Sequence, residues 1–95
     1  PWKRGSIPLG TAIKMFFYVY LITSLAKNKT ISYVGYTKDI KNRLKLHNSG
    51  KGAKFTRGKK WKLVYQKKYT SKKKAMIEEY KLKKNYKLRK KLKNE

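Results

Sequence analysis

Four side chains in this sequence have the types that phosphate-ester hydrolysis requires: the phenols of Tyr20 and Tyr33, the guanidinium of Arg43 and the carboxylate of Glu79. Cutting a phosphodiester needs a water activated and aligned with phosphorus, a counter-charge for the extra negative charge, and a neutralised leaving oxygen. A hard divalent cation does part of this from a single carboxylate anchor, because it keeps several waters and takes phosphate oxygens as ligands. Glu79 has the chemistry of that anchor. Arg43 offers a planar, permanently charged fork to a phosphate. A tyrosine is a weak base at its ordinary pKa of about 10, and positive surroundings favour its phenolate. Taken singly, each residue has a plainer role. The tyrosines suit the core of paired strands, Arg43 a basic helix surface, and Glu79 an ion pair with nearby lysines. Glu78 is the internal control, since it carries the same charge but lies about 100° around a helix from Glu79.

The surroundings are strongly positive. The chain has 95 residues with 28 Lys and Arg against 4 Asp and Glu, a formal net charge of +24. Such a field draws polyanions, whose counterions are released on contact. Nucleic acid is the first candidate partner and an anionic membrane surface the second. The absence of cysteine excludes disulfides, thiolate metal sites and a cysteine nucleophile. His47 is the single histidine, which excludes a multi-histidine zinc site. Any hard-cation site must draw on Asp39, Glu78, Glu79 and Glu95, or on the substrate's own phosphates.

The elements that would hold these residues are readable from pattern. Residues 1–14 carry both prolines and no clear period, and read as a leader or added arm ahead of a native start at Met15, with a natural arm as the alternative. Phe16 to Leu25 is an aromatic and β-branched run, too short to cross a bilayer as a helix. Ile31 to Thr37 is a second such run, and Lys27-Asn28-Lys29 forms the polar turn of a hairpin. A helix is predicted from about Lys38 or Asp39, capped by Thr37 or Asp39, with Ile40, Leu44 and His47 as its stripe and Gly50 as its stop. Trp61 to Tyr69 reads as a third strand with Trp61, Leu63 and Tyr65 on one face. Ser71 caps a second helix through Ala75, Met76, Tyr80 and Leu82. Residues 86–95 read as a basic C-terminal helix or tail, beyond a domain placed at 15–85.

Gly50 to Lys60 is a basic glycine-rich loop that matches neither the P-loop spacing nor the dinucleotide fingerprint, so nucleoside-triphosphate chemistry has no support. Its cations Lys51, Lys54, Arg57, Lys59 and Lys60, together with Lys38, suit a groove that tracks a nucleic-acid backbone. Phe55 and Trp61 are candidate stacking platforms. No element is suited to reading base edges, which predicts weak sequence preference.

The ordered set resembles the GIY-YIG nuclease family, closest to its small stand-alone branch of single-domain bacterial proteins. Tyr18-Val19-Tyr20 corresponds to the first motif and Tyr33-Val34-Gly35 to the second, and Arg43 lies ten residues past the second-motif tyrosine. The run from His47 through Gly50, Gly52 and Phe55 to Arg57 is very like the loop of that branch, and Glu79-Tyr80 followed by Leu82 resembles its metal-binding region. The resemblance implies an α+β fold, a small three-stranded antiparallel sheet flanked by helices. It implies one divalent ion, Mg2+ or Mn2+, held by Glu79, a tyrosine-assisted water, and Arg43 steadying the phosphate. His47 matches a histidine of the branch, with a role in proton transfer or phosphate binding. Tyr20 and Tyr33 both stand as the base. The function so implied is a metal-dependent DNA endonuclease in the bacterial cytoplasm, acting on single-stranded, branched or nicked DNA, with RNA cleavage left open and no membrane partner. The alternative is a weakly active or inactive nucleic-acid-binding module of the same fold. Four residues depart from the family pattern. Tyr18 replaces the first motif's glycine, valines replace both isoleucines, and Tyr36 stands where some relatives, notably the incision subunit of nucleotide excision repair, carry a lysine. Lys38 is the candidate to take that lysine's place.

Overall fold

A computed structural model describes residues 15–93. The leader expected at 1–14 lies outside them. In chain order the elements are β1 (Phe17–Ala26), β2 (Lys29–Thr37), α1 (Ile40–Asn48), β3 (Lys62–Tyr69), α2 (Lys72–Lys84) and α3 (Tyr86–Lys93). The strands form one antiparallel sheet in the order β2-β1-β3. The fold is therefore α+β, with a three-stranded antiparallel sheet flanked by helices.

The β1–β2 hairpin closes through Lys27 and Asn28, at φ values of 52° and 64°. Two consecutive left-handed residues form the turn whose twist matches that of paired strands. Because β1 is central, alternate residues are buried on opposite faces. Val19 and Leu21 pack with Val34 against Ala75 and Leu82 of α2, with Tyr36 and Leu92 at the margin. Tyr20 and Ile22 pack with Trp61 on the other face, where Tyr33, Ile40 and Leu44 close in.

The helix boundaries have local causes. Asp39 caps α1 by accepting from the Asn42 N–H at 3.1 Å. Thr37 instead accepts from the Asp39 N–H, fixing the approach. At the far end the Gly50 N–H donates to the His47 carbonyl and the Lys51 N–H to the Leu46 carbonyl. This paired closure needs a left-handed residue at its centre, and Gly50 sits at φ +81°. Ser71 caps α2 by accepting from the Lys74 N–H at 3.3 Å. α3 is a separate helix, broken from α2 at Asn85, whose side chain accepts from the Leu88 N–H.

The third strand departs from simple alternation. Leu21 pairs with Tyr65 but Ile22 pairs with Leu63, which leaves Val64 as an extra residue. The bulge turns Tyr65 to the α2 face, while Leu63 stays with Trp61 on the Tyr20 face. The expectation that Trp61, Leu63 and Tyr65 share one face fails for Tyr65 for this reason.

Candidate active site

β1 delivers Tyr20, and α1 delivers Arg43 and His47 to the same face of the sheet. His47 is 1% exposed and its ring bridges two hydroxyls. Nε2 lies 2.9 Å from the Tyr20 hydroxyl and Nδ1 lies 2.9 Å from Thr56 Oγ1. Thr56 settles the direction of both bonds. Its Oγ1 is 2.9 Å from the Ala53 carbonyl, an atom with lone pairs only, so the single threonine proton must point there. The threonine oxygen is then left to accept from the Ala53 N–H at 3.2 Å and from His47 Nδ1–H. His47 Nε2 is consequently unprotonated and accepts from the Tyr20 O–H. This tautomer is assigned from the hydrogen-bond network.

The electrostatics agree with a neutral histidine. Burial holds the His47 pKa below its ordinary value, and the nearby charge of Arg43 lowers it further. Tyr20 is shifted the opposite way. Burial pushes its pKa well above 10, Tyr33 and Glu79 add to the rise, and Arg43 opposes it. The expectation that the basic surroundings favour a phenolate is thus corrected for Tyr20, because desolvation outweighs the positive charge that reaches it. Tyr20 in its ground state is a donor to His47.

Two glycines make room for this pair. A Cβ at Gly35, the cross-strand partner of Tyr20, would lie 2.7 Å from the Tyr20 Cζ. A Cβ at Gly52 would lie 2.8 Å from His47 Cγ and 2.9 Å from its Cα. Both contacts are closer than any real side chain tolerates. The second-motif glycine therefore seats the phenol, and the loop glycine lets residues 51–60 close over the imidazole. The loop is pinned by Trp61, whose indole N–H donates to the Thr56 carbonyl at 3.0 Å. Asn48 brackets the Trp61 backbone, accepting from its N–H and donating to its carbonyl.

Tyr33 stands edge-on to His47, with centroids 5.1 Å apart, and stacks with Phe55 at 6.1 Å and 20°. Phe55 is 52% exposed, and Lys59 Nζ lies 5.5 Å over its ring. Lys51, Lys54, Arg57 and Lys60 are exposed along the same loop. Lys38 lies away from this loop, with Nζ 5.7 Å from the Phe17 ring, and lines a concavity that Arg43 also borders.

The two glutamates of α2 face different ways. Glu78 pairs with Lys74 and Lys81, at 3.5 and 3.3 Å, beside Tyr65, Tyr69 and Leu88. Glu79 pairs with Lys83 at 3.6 Å, and its charge reaches the Tyr20 hydroxyl. Among the described residues no group of three or more His, Asp or Glu converges on a metal-sized space. The donor set still fits one hard divalent cation. Glu79 supplies an oxygen donor in a loose lysine pair, and such an ion completes its coordination with water and phosphate oxygens.

The roles of Thr56, Asn48 and Gly52 escape sequence reasoning, although all three fall in the run from His47 to Arg57 that resembles the family's loop. Thr56 is fully buried, yet in a loop of lysines a threonine reads as a solvated polar residue. Membership of that run is the signal that could have singled them out.

The GIY-YIG catalytic domain matches residues 16–93. A UPF0213 protein of Oceanobacillus iheyensis is 42% identical over 67 residues, covering 70% of this chain and 74% of the relative. A UPF0213 protein of Bacillus velezensis is 44% identical over 69 residues, covering 72% of this chain and 65% of the relative. The solution NMR structure of a UPF0213 protein from Bacillus halodurans is 41% identical, covers 81% of this chain and 80% of its own, and has a TM-score of 0.45.

Proposed function

The chain belongs to the GIY-YIG nuclease family, and on that premise we propose that it is an endonuclease that hydrolyses phosphodiester bonds in DNA with the help of one divalent cation, Mg2+ or Mn2+. The substrate is single-stranded or structured DNA, read with weak sequence preference, in the cytoplasm of a bacterial cell. The observation that carries the reading is the buried chain Tyr20–His47–Thr56 beside Arg43.

The residues divide the work. An attacking water gives its proton to the Tyr20 oxygen as the Tyr20 proton passes to His47 Nε2. The histidine is poised for this because it starts neutral, with Nε2 bare. The raised Tyr20 pKa is then no obstacle, since the phenolate never accumulates. Arg43 neutralises the phosphate charge and opposes the cost of charge at Tyr20. Tyr33 holds the imidazole edge-on and is the second candidate for contact with the water. Glu79 would hold the divalent ion, which when bound polarises the phosphate and stabilises the departing oxygen. Phe55 and the loop cations Lys51, Lys54, Arg57, Lys59 and Lys60 bind the strand, and Lys38 adds to them.

The test is cleavage of a labelled oligonucleotide in Mg2+ by the wild type, Tyr20→Phe and His47→Ala. Each variant is expected to lose about 10²–10⁴-fold in rate, and the double variant little more than the worse single one. Additive losses would separate the two residues into independent roles. A wild type that retards DNA yet leaves it intact with every divalent ion would instead establish a binding module.

A further inference from the structure

A second concavity opens where β1 begins and β2 ends. It is an open hollow of about 690 Å³, within the range of about 300–1,000 Å³ usual for small-ligand sites. Its walls combine two chemistries. Phe17 of β1 and Tyr36 of β2 supply aromatic surface. Lys38 before α1, Arg43 within α1 and Lys72 at the start of α2 supply three cations from three segments. The one acid in the lining, Asp39, caps α1 through Oδ1, and the lining keeps three cations against this single anion. Lys38 lies over the Phe17 ring, so a base that takes this face displaces the lysine toward the phosphate.

A flat π-surface beside an anion is the chemistry of a nucleotide. In a duplex the base faces are covered by their stacked neighbours, so only an unpaired base can offer a face to Phe17 or Tyr36. Arg43 lines both this concavity and the crevice beside Tyr20, which ties the two. We propose that this concavity seats one unpaired nucleotide next to the scissile phosphate, its base against Phe17 and Tyr36 and its own phosphate on Lys72 and Lys38. The inference rests on the hydrolytic reading above and adds to it the place where the unpaired strand is read, one unstacked nucleotide at the cut.

The test joins a binding readout to a cleavage readout. Amide NMR shifts of the wild type are followed on addition of a short oligothymidylate, of thymidine monophosphate and of inorganic phosphate. Phe17, Tyr36 and Lys72 are expected to shift with the oligonucleotide, and more weakly with the mononucleotide. Shifts confined to residues 51–60, or reproduced in full by inorganic phosphate, would overturn the proposal. Phe17→Leu keeps packing volume while removing the π-face, and Lys72→Gln removes the charge. Each is expected to slow cleavage of a single strand about tenfold while leaving retention of a fully paired duplex nearly unchanged. Unaltered single-strand cleavage in both variants would also overturn it. Shifts at Phe17 and Lys72 without any cleavage by the wild type would keep the nucleotide seat and remove the hydrolytic reading.

Discussion

Thr56 is the residue on which the proposed proton chemistry turns. A buried threonine hydroxyl with its proton committed to a carbonyl can only accept from the imidazole, and that acceptance keeps Nε2 free for Tyr20. Long-range 1H–15N NMR should therefore find His47 protonated at Nδ1 and bare at Nε2; the opposite tautomer would reverse the proposed relay. Thr56→Val leaves the Nδ1–H without a partner, a cost of about 1–3 kcal/mol in stability. It should lower kcat more than it raises KM, whereas Thr56→Ser should restore both. The pH dependence has a definite sign. The folded His47 pKa lies below the ordinary value of about 6.5. Unfolded chains thus bind the proton first, so stability is complete above about pH 6.5 and is lost as pH falls through the depressed value. Activity should follow the same acid limb, because a protonated Nε2 cannot accept from Tyr20. Matching acid limbs in His47→Gln and wild type would contradict this assignment.

At the scale of elements, Gly35 gives the sharpest expectation. Gly35→Ala places a methyl where the Tyr20 ring lies, and overpacking of this kind costs about 1–3 kcal/mol. The thermal midpoint should fall and cleavage should fall with it; wild-type values for both would mean that the phenol sits elsewhere. Much at this scale is legible in the sequence. The hairpin, the caps Asp39 and Ser71, and the stop at Gly50 follow from local chemistry, and local chemistry is what a sequence displays directly. The 100° between Glu78 and Glu79 likewise anticipates that they face different surroundings. The Tyr65 bulge is not legible, since it depends on how β3 registers against β1. Nor is the raised Tyr20 pKa: the lysine content is visible in the sequence, but the burial that outweighs it appears only when the strands pair and α1 closes over them. The concavity at Phe17 is hidden for the same reason, being a product of segments far apart in the chain. Thr56 meets only near neighbours, His47, Ala53 and Trp61, and is hidden because a threonine in a lysine-rich loop reads as solvated.

The whole molecule is a small sheet inside a cationic shell, with 28 basic residues against 4 acidic ones. Binding should be governed by counterion release. With the five loop cations on phosphates, the logarithm of affinity for a single strand should fall against the logarithm of salt with a slope of about −3.5. Replacing Lys54 and Arg57 by glutamine should flatten that slope and weaken all sequences alike; a slope near zero would exclude the loop as a backbone track. In the proposed reading the field gathers substrate, and hydrolysis falls to one acidic anchor working with Arg43, Tyr20 and His47. The most direct test of that assignment is the Mg2+-dependent cleavage rate of Glu79→Ala beside Glu78→Ala, with DNA retention measured in parallel. The account predicts that Glu79→Ala loses cleavage while still retaining DNA, and that Glu78→Ala cuts at close to the wild-type rate. Full activity in Glu79→Ala, or equal loss in both, would contradict it.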